Sequence, residues 1–229
     1  PALLARFNVL WYIAAKSASF FMVRVASLKD MVNAGYHKKD IAGLTPEKQL
    51  ALLNKETHAL VKRQYATYNG LLLPQLLENG LRLIEHHEDL TKAEAAYVDS
   101  YFADNVYPVL TPMAVDSSRP FPLIRNKSLN IGALVRKKNG ENELEFATVQ
   151  VPSVLSRIVL IPAEEGKAMI LLEEVIERNI HKLFLNYDIV CAYPFRIMRN
   201  ADLSIEEEEA GDLLQEIEKQ LKKRQWGEA

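Results

Sequence analysis

The segment LNIGALVRKKNGENELEFATVQ, residues 129–150, decides the fold class of the second part of this chain. On both sides of a polar centre, apolar side chains recur at every second position, which is the period of strands with one buried face. Asn139-Gly140 in that centre is the dipeptide that favours a tight hairpin turn. The segment therefore predicts a β-hairpin and, with it, a mostly antiparallel sheet.

The sequence around the hairpin alternates between short apolar runs and helical patterns. Thr91 and Glu94 form a capping box that begins a helix, and Ser204 and Glu207 form a second box before the last helix. The remaining predicted elements are strands over 81–84, 158–161 and 190–199 and a helix over 172–184. Strands mixed with helices in this way predict an α+β domain.

The first 80 residues have a different pattern and contain only predicted helices. Apolar residues recur every three or four positions over residues 1–36, and Gly35 is a plausible helix stop. Thr45-Pro46-Glu47 begins the next helix, and Asn69-Gly70 interrupts it before a short helix over 71–77. Asn79-Gly80 is a turn signal, so we predict a helical N-terminal domain over 1–80 and an α+β domain over 81–229.

Composition limits the class of protein. The chain is 48% hydrophobic with a net charge of −2, so it can bury a core but lacks the overall basic charge expected for nucleic-acid binding. Its one cysteine, Cys191, excludes an internal disulfide framework and fits a cytoplasmic location. No run of 18 apolar residues occurs, so no transmembrane span is expected. Both ends lie in or beside helical patterns, which suggests a piece of a longer protein.

Familiar catalytic patterns are missing. The five histidines lack the His-x-x-x-His and Cys-x-x-Cys companions of zinc sites, and no glycine-rich phosphate loop or nucleophile elbow occurs. His86-His87 fits solvated surface better than a metal site. We therefore predict no catalytic residue and no metal ligand within this chain.

Two segments could contact anions. Residues 117–128 place Arg119, Arg125 and Lys127 on a proline-stiffened loop, where they could bind phosphate oxygens or be ordinary solvated charges. Arg24 stands in the apolar helical segment SFFMVRVASL, residues 19–28. It must either extend to the surface or be held by a carboxylate or a phosphate.

Several motifs in the same order resemble the long, multidomain polyphosphate kinase family. FFMVRVASL, which begins at Phe20, resembles the signature helix of that family. The other motifs are Thr111-Pro112, RPFPLI at 119–124, NKSLN at 126–130, ADLSIEEEE at 201–209 and KKRQWG at 222–227. The resemblance covers the whole chain.

This resemblance implies a helical domain and a head domain, followed in the family by two catalytic domains beyond residue 229. The full-length protein would then reversibly transfer the terminal phosphate of ATP to inorganic polyphosphate through a phosphohistidine in the missing part. Magnesium would be bound mainly there too, so this chain alone is expected to be inactive. The resemblance also implies a homodimer or higher homo-oligomer and allows peripheral membrane association of the full-length enzyme.

The resemblance assigns part of a nucleotide wall to Lys16, Phe20 and Arg24. Lys16 stands where the family has an asparagine near the adenine ring, and lysine donates hydrogen bonds but cannot accept them. For Arg24 we favour a structural ion pair over direct phosphate contact. Arg119, Arg125 and Lys127 are candidates for one side of a polyphosphate tunnel.

An alternative from another class is a stand-alone dimerisation or interaction module without catalysis. A phosphorylatable histidine in a longer gene product would favour the kinase, whereas a native stop after residue 229 would favour the module. Nucleic-acid binding is disfavoured because aromatic and basic residues do not interleave.

Overall fold

The computed structural model describes residues 2–115, 123–138, 144–162 and 166–201. The chain divides into two compact units. The first contains residues up to Gln75 and also Met198 to Ala201, and the second contains residues 76–197. The boundary at residue 80 stays a prediction.

A nearly continuous helical rod begins the first unit. It consists of α1 (Ala2–Phe20), a π-helical turn (Phe21–Val25) and α2 (Ala26–Asn33). Gly35, at φ 67°, ends the rod. The Tyr36 N–H donates to the Met31 carbonyl and the Gly35 N–H to the Val32 carbonyl, both at 2.9 Å, which is a Schellman motif. The predicted helix over 1–36 is thus confirmed.

The π-helical turn also binds residue 201 through its backbone. The Ala26 N–H reaches back to the Phe21 carbonyl, and the Met22 carbonyl accepts the Ala201 N–H at 2.8 Å. Such turns insert one extra residue into a helix and often mark functional sites. Here the turn anchors residues 198–201 to the first unit.

A second long helix follows after a polar connection. It comprises α3 (Pro46–Thr67), a π-helical turn (Tyr68–Leu72) and α4 (Leu73–Glu78). The predicted start with Pro46 in the first turn is confirmed, but the predicted break at Asn69-Gly70 is wrong. A glycine costs a helix only about 1 kcal/mol, and the burial of Leu72 together with the edge-on contact of Phe7 with Tyr68 holds this turn in place.

The described residues of the second unit form two sheets. In the first, β1 (Leu81–Ile84) runs parallel to β6 (Lys167–Leu171), which pairs antiparallel with β5 (Ile158–Ile161). The second is antiparallel throughout, in the order β2-β4-β3-β7. Its strands are β2 (Pro112–Val115), β3 (Leu129–Lys137), β4 (Leu144–Gln150) and β7 (Tyr187–Arg196).

Helical elements complete the second unit. They are α5 (Lys92–Tyr101), α6 (Leu172–Arg178), a π-helical turn (Phe102–Val106) and 3-10 turns over His87–Asp89, Tyr107–Val109 and Ile180–Lys182. The capping box before α5 is confirmed: the Glu94 N–H donates to the Thr91 hydroxyl, and the Thr91 N–H to the Glu94 carboxylate.

Most strand predictions hold, and the α+β class is confirmed. β3 and β4 pair as the hairpin requires, although the Asn139-Gly140 turn lies outside the described residues. β1 and β5 occupy their expected places, whereas β7 begins and ends three residues earlier than the predicted strand over 190–199. β2 and β6 were not predicted. The final helix predicted after Ser204 also lies outside the described residues.

One core joins the sheets and helices of the second unit. Phe102, Ile131, Val149, Ile170 and Ile176 are almost completely buried within it. Since burial of each such side chain contributes about 1.5–3 kcal/mol, this core supplies the rigid base on which the loops of the unit stand.

The rod of the first unit is largely exposed within that unit. The stretch Leu3–Asn33 is long and apolar enough to cross a membrane when judged by length and composition alone, although no uninterrupted run of 18 apolar residues occurs. Only 6% of its most apolar window is buried. Core helices and signal sequences pass the same test, so this property alone does not assign a membrane location.

Candidate functional site

An open groove of about 630 Å³ lies in the first unit between the rod and α3. The rod contributes Phe20, Arg24 and Met31, and the connection before α3 contributes Tyr36 and Lys38. Leu28, Leu52 and Leu53 add apolar wall, and Lys39, Asp40 and Glu56 add charge.

Arg24 lies in the π-helical turn and contributes a positive charge to the wall of the groove. It is exposed and forms no hydrogen bond or ion pair with any described residue. The structural ion pair that we favoured is therefore not found in the described part of the chain. Phe20 and Tyr36 stay 40% and 47% exposed, so the groove combines aromatic surface with a free guanidinium. This combination suits a flat ring that carries anionic groups.

Lys16 lies outside the groove. It is exposed on α1, one helical turn before Phe20, and its ammonium group stands 5.4 Å from the centroid of the Tyr12 ring. The structure thus brings Phe20 and Arg24 together on the groove wall and leaves Lys16 beside it.

A second concave site, which we call the basic cleft, lies in the second unit and measures about 390 Å³. A tight turn over residues 125–128 forms one wall. The Ser128 N–H and hydroxyl donate to the Arg125 carbonyl at 3.1 and 2.8 Å, and the Lys127 N–H donates to the Ile197 carbonyl at 2.9 Å. Lys127 has φ 61°, the left-handed region that only a well-supported turn imposes on a lysine.

Four cations of the described residues line this cleft, and three of them form no ion pair with another described residue. Arg157 donates to Glu173 through Nε at 3.0 and 3.1 Å and so neutralises a buried carboxylate. Arg125, Lys127 and Arg196 are exposed and form no salt bridge within the described residues. Among those residues no carboxylate lines the cleft, whereas Asn126, Gln150 and Ser153 supply neutral polar groups. The cleft can therefore hold an extended anion.

The sequence identified part of this cleft. Arg125 and Lys127 do lie together, and Arg119 lies outside the described residues. Arg157 and Arg196 were missed. Arg196 reaches the cleft because β7 pairs with β3, which places it opposite Leu129. This pairing over a long sequence distance leaves no local signal.

His86 and His87 differ from the solvated pair that we expected. His86 is exposed, but the side chain of His87 is only 19% exposed and is held by Glu174 of α6. The expectation of solvated surface is wrong for His87. Glu174 is 87 positions away along the chain, so no local sequence pattern indicates that it contacts His87.

Comparison with known proteins gives consistent matches along the chain. The model of the polyphosphate kinase N-terminal domain matches residues 2–84, and that of the polyphosphate kinase middle domain matches residues 93–229. A polyphosphate kinase of Halalkalibacterium halodurans is 47% identical over 99% of this chain and 32% of the relative. One of Bacillus anthracis is 45% identical over 99% of this chain and 33% of the relative.

A solved structure shows the same fold. The crystal structure of polyphosphate kinase from Porphyromonas gingivalis has a TM-score of 0.69 at 21% identity, over 91% of this chain and 32% of that one. These matches define a class of proteins that join a helical N-terminal domain to an α+β middle domain. The chain belongs to the polyphosphate kinase family. It spans about a third of the length of the curated relatives that it matches.

Proposed function

We propose that this chain is the N-terminal and middle portion of an enzyme that reversibly transfers the terminal phosphate of ATP to inorganic polyphosphate. Its own role in that reaction is binding. The basic cleft holds a stretch of polyphosphate, and the groove of the first unit forms part of the nucleotide wall.

The observation that carries this proposal is the charge of the basic cleft. Polyphosphate bears negative charge on every unit, so its site needs several cations that are not already neutralised. Arg125, Lys127 and Arg196 meet this requirement, and the cleft lacks a described carboxylate that would repel the chain. Guanidinium groups also fit pairs of phosphate oxygens through two parallel hydrogen bonds.

The groove supports the nucleotide part of the proposal. Phe20 offers an aromatic surface for a base, and Arg24 and Lys38 offer charge for phosphates. The described lining of the groove contains only two carboxylates, those of Asp40 and Glu56, and Asp40 accepts the Leu44 N–H through Oδ1 at 2.8 Å. We therefore propose that magnesium is bound mainly by the remainder of the protein.

Other parts of the activity are also assigned to that remainder. We propose that the histidine that becomes phosphorylated lies beyond residue 229, and that the intact protein is a cytoplasmic homodimer or higher homo-oligomer that can associate peripherally with membranes. Support comes from family membership and from the fraction of the relatives' length that this chain covers.

Binding of fluorescently labelled polyphosphate to the 229-residue chain tests the proposal. The triple charge reversal Arg125→Glu, Lys127→Glu and Arg196→Glu is expected to weaken binding at least tenfold. It should also flatten the dependence of affinity on salt, because each lost phosphate contact removes one released counterion.

A matched control variant distinguishes binding in the basic cleft from a general effect of net charge on polyphosphate affinity. Lys92→Glu, Arg136→Glu and Lys167→Glu change the net charge equally, at exposed positions of the same unit outside the cleft. This variant is expected to retain most of the affinity. Equal losses in both triple variants, or binding that does not respond to salt, would refute the cleft as the polyphosphate site.

A further inference from the structure

Three side chains with metal-binding atoms converge in the second unit, and none of them lines the basic cleft. His86 precedes the 3-10 turn that contains Glu88, and Glu174 lies in the first turn of α6. One imidazole nitrogen and one oxygen from each carboxylate lie within 4.8 Å of one another. Donors from two separate elements thus meet at one point.

His87 holds the least exposed of these donors in position. Its backbone N–H donates to Glu174 Oε2 at 3.0 Å, and its Nδ1 lies 3.2 Å from the same oxygen. Because both contacts occupy Oε2, Oε1 is the oxygen left for an ion. The Glu174 side chain is only 13% exposed, so its direction is fixed by packing as well as by His87.

Two carboxylates of the site, those of Glu88 and Glu174, contact the same imidazole ring. The Glu88 carboxylate lies 3.5 Å from His87 Nε2, so it shares this ring with Glu174. A cation bound here would lie between these two carboxylates and separate their charges.

We propose that His86, Glu88 and Glu174 bind a first-row divalent cation of the zinc class. One imidazole and two carboxylates suit Zn²⁺, Co²⁺ or Mn²⁺ and leave positions for water. His86 and Glu88 are exposed, so small side-chain rotations can close the donors to bonding distance of one ion. His87 is a positioning residue that orients Glu174, as outer-shell groups do in metal sites.

The site would link the segment that follows β1 to α6. No sequence motif marks this site, because Glu174 is separated from Glu88 by most of the domain. For this reason we predicted no metal ligand from the sequence. A cation here would clamp two elements of the middle domain and so act on stability, separately from the magnesium of phosphoryl transfer.

Zn²⁺ titration by calorimetry and Co²⁺ absorption on the 229-residue chain test this proposal. We expect one saturable site, a rise in Tm on adding Zn²⁺, and a Co²⁺ spectrum in the visible range. His86→Ala and Glu88→Gln should each weaken binding at least tenfold and abolish the rise in Tm. Glu88 is 71% exposed, so its replacement tests the site without threatening the fold.

His181→Ala is the control, because His181 is an exposed histidine of the same unit outside the cluster. It should leave the zinc affinity unchanged. The proposal is overturned if the chain shows no saturable site. It is also overturned if His86→Ala, Glu88→Gln and His181→Ala bind alike, which would mean adventitious zinc only.

Discussion

At the scale of single residues, Asp99 shows how one carboxylate joins two helices. Arg178 donates to its two oxygens at 2.8 and 3.0 Å, and Asn179 donates to Oδ1 at 3.2 Å. The hydrogen bonds from Arg178, opposed by burial and assisted by Asn179, lower the pKa of the Asp99 carboxyl. The pair raises the pKa of Arg178 in turn. This contact fixes α5 against the end of α6.

Asp99→Asn is expected to destabilise the second unit by about 1 kcal/mol at neutral pH, since the pair is partly exposed to solvent. A carboxyl with a lowered pKa stabilises the fold above its unfolded pKa, and this contribution is lost as pH falls through the folded pKa. The difference between variant and parent should therefore shrink at acidic pH. Urea unfolding followed at several pH values measures it.

Asp188→Asn serves as the control for that comparison. Asp188 is an exposed residue of β7, and the substitution removes the same charge without breaking a described ion pair. It should change stability little at any pH. A loss for Asp99→Asn that stays constant down to strongly acidic pH would contradict the assigned role of the carboxylate.

At the scale of elements, Gly166 permits the close approach of the chain segments at the start of the β1–β6 pairing. The Lys167 N–H donates to the Gly80 carbonyl at 2.8 Å, just where the parallel pairing of these strands begins. Gly166 has φ 68°, and a Cβ there would lie 2.6 Å from the Gly80 carbonyl oxygen. Neither the backbone conformation nor the available space accepts a side chain.

Gly166→Ala is expected to destabilise the chain by roughly 2 kcal/mol or more, because the left-handed conformation and the contact with the backbone both oppose it. Gly70→Ala is the matched substitution, at a helical position with open space around the added carbon. It should be neutral or slightly stabilising. Thermal unfolding of both variants checks this, and similar Tm values would show that the close approach does not matter.

The elements also show how far the sequence predicts the fold. The capping box at Thr91 and the alternation over β3 and β4 depend on neighbours in the chain, so they were predictable. The parallel pairing of β1 with β6 depends on contacts over more than 80 positions. The π-helical turn at Phe21–Val25 inserts one residue into a normal helical pattern, so periodicity shows only a helix.

The candidate sites were likewise predictable only where their residues are close together in the sequence. Arg125 and Lys127 lie on one turn and were found together, whereas Arg196 enters the cleft through strand pairing and Glu174 meets His87 through helix packing. Arg24 was assigned an ion pair because a cation among apolar residues needs compensation. The π-helical turn instead presents it to solvent at the groove.

At the scale of the whole molecule, family membership and chain coverage together set the expected behaviour. The chain matches two domains of polyphosphate kinases and about a third of the relatives' length. Its described residues include the two surfaces proposed to bind anions, one in each unit, and its sequence contains no complete catalytic motif. We therefore expect the chain alone to bind these ligands without turnover.

The most direct measurement is transfer of radiolabelled phosphate from ATP to polyphosphate by the intact gene product and by the 229-residue chain, with the mass of the intact product determined in parallel. We expect a product about three times as long that is active, and a chain that binds polyphosphate but transfers no phosphate. Transfer by the chain alone, or an intact product that ends near Ala229 and is inactive, would contradict the account.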